Sequence, residues 1–183
     1  MRVVRLLSVA LISMSACSSA GKSDEPRARG PAASPQPTAA TAAPAPADPA
    51  VRDDTVLEAV FVHELRAAGA RPDEPVCLRV RAAGGKIAEP SAALIAAMQI
   101  HFARAIAASG CEGGGSERVR TKTGDDGVIS DIGPVVWNGA GVALVEGGGA
   151  SRGGTMAIRE VEYRVEASAG GYKVAAERVL RQN

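Results

Sequence analysis

The residues able to do chemistry are few in this chain of 183 residues. It has two histidines, His63 and His101, the residue type best suited to proton transfer near neutral pH. His101 stands beside Phe102 on an apolar stretch, where it could turn toward a sheet and act as a general base. No carboxylate lies four residues away to orient it, which favours a histidine on a helix surface. His63-Glu64 begins like a zinc-protease helix, but Ala67 occupies the place of the second histidine. Asp125-Asp126 lies in Thr123-Gly124-Asp125-Asp126-Gly127, with too few oxygens for a calcium loop, and reads as a solvated turn. The glycines from Gly147 to Gly154 lack the lysine and hydroxyl pair of a phosphate loop, and Arg152 adds only charge. No serine sits in a nucleophile elbow. The residue types therefore assign no catalytic group, no metal site and no cofactor. Trp137 and Tyr163 read first as core residues and second as ligand stackers, because the chain has few other large side chains.

The three cysteines carry a second kind of chemistry. Arg2 and Arg5 precede an apolar run, Leu6 to Ile12, that ends in Met14-Ser15-Ala16-Cys17. A cationic start, a short apolar core and small residues before a cut site make a secretory signal over residues 1–16. The run falls far short of the roughly 20 apolar residues of a spanning helix. An exported compartment is oxidising, so Cys77 and Cys111 either pair as a disulfide or remain thiols, and compartment and parity favour the pair. The end of the leader resembles the lipobox of bacterial lipoproteins, with Met14 where leucine is usual. That resemblance implies a diacylglyceryl group on Cys17, cleavage after Ala16 and stable attachment by two or three acyl chains. Ser18 after the cysteine implies the periplasmic face of the outer membrane.

Composition narrows the partners. The net charge of +1 falls to −1 once Arg2 and Arg5 leave with the signal, so no field remains to draw nucleic acid. Aromatic residues are 3% of the chain, which calls for a core of small aliphatic side chains. Residues 17–50 are rich in alanine and proline, have no apolar periodicity and read as a disordered tether. Drawn out, some thirty such residues reach on the order of 90 Å.

The folded domain is expected over residues 51–183. Val56, Leu57, Val60, Phe61 and Leu65 recur at helical spacing, capped by Asp53 or Asp54 and closed by Gly69. Val76 to Arg81 alternates as a strand, with Val76, Leu78 and Val80 on one face and Cys77 on the other. Leu94, Ile95, Met98, Phe102 and Ile106 predict a second helix from about Ser91 to Gly110. A long exposed loop is expected over 112–130, with a short strand at 118–122. Strands follow at 133–137 and 142–146 around the Asn138-Gly139 turn, then at 155–167 and 172–180. The glycines after Glu146 read as a mobile connection, and a change of alternation between Ile158 and Val161 predicts a bulge.

This order makes an α+β layer: a curved antiparallel sheet with two to three helices on one face. It resembles the cone of the NTF2-like, or SnoaL-like, superfamily, across most of residues 51–183. That family places polar residues inside its cone, which implies His101, Trp137, Tyr163 and Glu146 as pocket candidates. The segments Gly133-Pro134-Val135-Val136-Trp137, Val145-Glu146-Gly147-Gly148, Tyr163-Arg164-Val165 and Gly171-Tyr172-Lys173-Val174 resemble a group of uncharacterised bacterial lipoproteins, in which tryptophan is usual at the position of Tyr172. Two functions follow as expectations. One is a non-catalytic envelope module, held to the membrane by lipid, with an envelope protein as partner. The other is a small-molecule pocket inside the cone.

Overall fold

The computed structural model describes residues 49–82, 84–139, 141–154 and 159–182. The signal segment, Cys17, the tether up to residue 48 and the predicted start of the third long strand at 155–158 lie outside the described residues.

The first helix, α1 (Pro49–Ala67), begins four residues before the expected aspartate cap. Its stripe of Val56, Leu57, Val60, Phe61 and Leu65 is buried as the period requires. Gly69 then takes φ +69°, and the Ala70 N–H reaches the Leu65 carbonyl at 2.9 Å. Strand β1 (Val76–Arg81) sends Val76, Leu78 and Val80 toward the helices and Cys77 to the other face. Short β2 (Ile87–Ala88) pairs antiparallel with its end. Helix α2 (Ala92–His101) is capped by Ser91, whose hydroxyl accepts the Leu94 N–H at 3.0 Å.

Here the structure departs from expectation. The second helix stops at His101, not at Gly110. Phe102 turns to φ −135° and closes the last turn onto the Met98 carbonyl. Ile106 then lies in β3 (Ala105–Ala107), parallel to β1, followed by a 3-10 turn over Ala108–Gly110. In the expected loop, the short strand foreseen at 118–122 is present as β5 (Glu117–Thr121), and it forms a hairpin with an unforeseen strand, β4 (Cys111–Gly114). Only Val119 and Thr121 are buried there, too few apolar side chains to reveal two strands by pattern.

The remaining strands are β6 (Val128–Trp137), β7 (Val142–Ser151), β8 (Arg159–Ser168) and β9 (Gly171–Gln182). The main sheet runs β2-β1-β6-β7-β8-β9, with β3 also on β1. It is mostly antiparallel, but β1 pairs parallel to both β3 and β6. The glycines after Glu146 continue β7 and are not a connection.

Two bulges in the β6–β7 ladder, after Ser130 and after Ile132, reset which residues face inward. On β6, Val128, Ser130 and Ile132 face the core, and beyond Gly133-Pro134 that role passes to Val135 and Trp137. On β7, Ala143, Val145 and Gly147 face inward, and past Gly148-Gly149 it is Ala150. Each extra residue bends its strand while keeping apolar side chains inward. The register also shifts at Glu160/Val161, but the extra residue, Leu180, lies on β9 and not on the strand whose alternation predicted a bulge.

α1 packs on β6, β7, β8 and β9, and α2 packs on α1 and β3. One core joins both helices to one face of the sheet. A smaller cluster of Cys77, Val119 and Ile129 lies on the other face beneath the β4–β5 hairpin. The Cys77–Cys111 disulfide ties that hairpin to β1. It does not tie the strand to a helix end, because α2 has already stopped.

Candidate functional site

The centre of the fold is a buried carboxylate. Glu64 lies on α1 four residues after Val60 and three after Phe61, so helical spacing places it on the apolar stripe. It is 3% exposed. A charge buried there is costly unless hydrogen-bonded. Ser130, itself fully buried on β6, donates from Oγ to Oε2 at 2.6 Å. The Gly149 N–H, turned by φ +74°, donates to Oε1 at 3.3 Å. Tyr163 on β8 also acts on the carboxylate. Burial pushes the Glu64 carboxyl above its usual range, and Asp131 adds to the rise against the lowering by its donors. Burial and the Glu64 charge in turn hold the Tyr163 hydroxyl well above its ordinary value.

Gly147 makes this arrangement possible. A Cβ at that position would overlap Glu64 Oε1 and stand 2.9 Å from the Tyr163 ring. The glycine run of β7 thus leaves room for an acidic side chain from the helix and supplies an N–H to hold it. The glycines alone gave no sign of this. The position of Glu64 within the apolar stripe was the signal that could have found the site.

A cavity of about 220 Å³ opens beside the cluster, lined among others by His63, Glu64, Gly149, Arg159, Tyr163 and Glu177. His63 Nε2 is 2.5 Å from Glu177 Oε1, and Arg159 donates to Glu177 Oε2 at 3.2 Å. The His63 ring also meets Tyr163 edge-on, with centroids 5.7 Å apart.

The sequence candidates do not gather in one site. Tyr163 is 1% exposed and belongs to the Glu64 cluster. His101 does have a carboxylate partner, but from the other helix: its Nε2 lies 3.0 Å from Glu58 Oε1. It lines a groove of about 780 Å³ along α1, away from Tyr163. Trp137 anchors the first turns of α1. Its indole N–H donates to Asp53 Oδ1 at 2.8 Å, the Arg52 guanidinium stacks 3.6 Å above its ring, and Tyr172 meets it edge-on. Glu146 is exposed on β7. Asp125 and Asp126 form ion pairs with Arg104, Arg118 and Arg120. Among the described residues, no three histidine, cysteine, aspartate or glutamate side chains gather as a metal site.

Chemically, the Glu64 cluster can hold or release one proton in a buried setting. Its oxygens are already engaged by Ser130 and Gly149, so it is built first as a clamp between helix and sheet. Compared with known proteins, the chain matches no family model, no curated protein and no solved structure.

Proposed function

We propose that this chain is an exported bacterial envelope lipoprotein, anchored through Cys17, whose folded domain is a non-catalytic binding module for an envelope protein. The observation that carries the non-catalytic reading is the state of Glu64. The buried carboxylate accepts hydrogen bonds from Ser130 on one oxygen and Gly149 on the other, which tie it into the fold between helix and sheet. His63 and His101 are likewise held by Glu177 and Glu58. On this reading, the tether lets the domain search for its partner away from the bilayer. We further propose that sheet and helices form an NTF2-like cone. The packing of α1 across β6 to β9 and the bulges that bend β6 and β7 support that assignment.

The cavity at Glu64, His63 and Tyr163 favours a second reading, a small-molecule pocket inside the cone. Native mass spectrometry of the exported full chain separates the two. The binding-module reading expects an oxidised protein that carries no mass beyond its covalent acyl groups. A retained non-covalent small-molecule mass would overturn it in favour of the pocket and give the ligand's size.

A further inference from the structure

The sheet face turned away from the helices is covered at one end, where the β4–β5 hairpin lies over Cys77 and Ile129. Beyond the hairpin, Arg79 and Arg81 of β1 share the face of Cys77, and Asp131 of β6 stands opposite Arg79 in the parallel register. The side chains of Arg79, Arg81 and Asp131 are 31%, 30% and 31% exposed. Their polar groups are poorly matched. Arg79 Nη1 stays 3.7 Å from Asp131 Oδ2, beyond hydrogen-bond reach. Arg81 Nε and Asp131 Oδ1 lie 3.0 Å apart, both shielded from solvent, without the alignment of a hydrogen bond. Each guanidinium carries five N–H donors. Among the described residues, no hydrogen bond engages either guanidinium. One flat carboxylate opposite Arg79 does not align with two planar forks rooted about 6–7 Å apart along a strand.

We infer that Arg79 and Arg81 form a binding site for a phosphate ester, whose tetrahedral oxygens accept from both guanidiniums beside Asp131. Two cations on one anion leave a single positive charge, which matches the single negative charge of a phosphodiester. Glu146 of β7 and Lys86 before β2 border the patch with one charge of each sign. Glu112 of the hairpin stands opposite Arg120 in the β4–β5 register. What marks the site is therefore its unfilled donors more than its net charge. Ile87, opposite Arg81, is 63% exposed, and Val136, further along β6 on this face, is 56% exposed. They offer apolar surface to the organic part of the ester. The inference goes beyond the protein-partner reading and does not depend on it.

The test uses the exported full chain with Cys17→Ala, so that no acyl chain contributes to binding. Diethyl phosphate added at constant ionic strength should shift the Arg79 and Arg81 Nε–H resonances saturably. Arg79→Lys/Arg81→Lys keeps the charge but loses the planar forks, and should bind about tenfold more weakly with its circular dichroism unchanged. Asp131→Asn removes the competing acid and should bind about threefold more tightly. Arg164→Lys, exposed on β8 of the same face, should bind as the parent does. Vesicles containing phosphatidylglycerol separate two sources of the ester, and either supports the site. Pelleting of the protein with them, reversed by diethyl phosphate, would assign a lipid headgroup. Diethyl phosphate binding without pelleting would assign a soluble ester. Absence of a saturable shift, equal binding of acetate, weaker binding in Asp131→Asn or an equal loss in Arg164→Lys would overturn the site and leave the protein-partner reading standing.

Discussion

Glu64 sets the chemistry at the scale of single residues. Its ordinary carboxyl value is 4.5, and burial raises it in the fold. Below pH 4.5 both folded and unfolded chains hold the proton. As pH rises past 4.5, the unfolded chain releases it first, so this site removes stability until the raised folded value has been passed. Asp131, Tyr163, His63, Glu177 and Arg159 surround the carboxyl, and Tyr163 keeps its proton throughout that window. Thermal midpoints measured from pH 4 to 8 should therefore fall more steeply in the parent than in Glu64→Gln, which carries no proton to lose. Parallel profiles would refute this assignment. Glu64→Ala should cost about 1–3 kcal/mol, because Ser130 and Gly149 lose their acceptor in a buried place. Glu64 was legible in principle, as the acidic member of an apolar stripe. Ser130 was not, because its partner lies 66 residues away in sequence.

Whole elements divide by where their hydrogen bonds go. α1 and β1 carry their own period, so spacing alone placed their inner faces. Phe102 and Ile106 continue the helical spacing of α2, yet the chain leaves the helix at His101 because β1 offers Ala105–Ala107 a parallel ladder. That choice is made by a distant partner and leaves no local trace. The β4–β5 hairpin depends on a cross-link more than on a core, since its apolar support is little more than Val119, Cys77 and Ile129. The cysteines lie 34 residues apart in sequence, for which the chain-entropy account gives about 3–4 kcal/mol. Urea unfolding of Cys77→Ala/Cys111→Ala should show a loss of that order. Hydrogen exchange should quicken in β4–β5 and stay slow in α1. An unchanged midpoint would show that the disulfide contributes little here.

At the scale of the whole molecule, the proposed anchor depends on one cysteine. Replacing Cys17 removes the proposed acyl attachment. Cys17→Ala is expected to leave the exported protein soluble after cell fractionation, with the thermal midpoint of the parent domain. Retention in the membrane fraction would refute the lipid anchor. The amino-acid sequence by itself determined the faces of α1 and β1, the turn at Asn138-Gly139 and the cysteines available for pairing, because each rests on local period, turn geometry or parity. Tertiary structure alone decided the end of α2, the parallel pairing of β1 with β6, the clamp on Glu64 and the separation of His101 from Tyr163. Each of these depends on groups brought together from far apart along the chain, where bulges, burial and the competition for hydrogen bonds outweigh local preference.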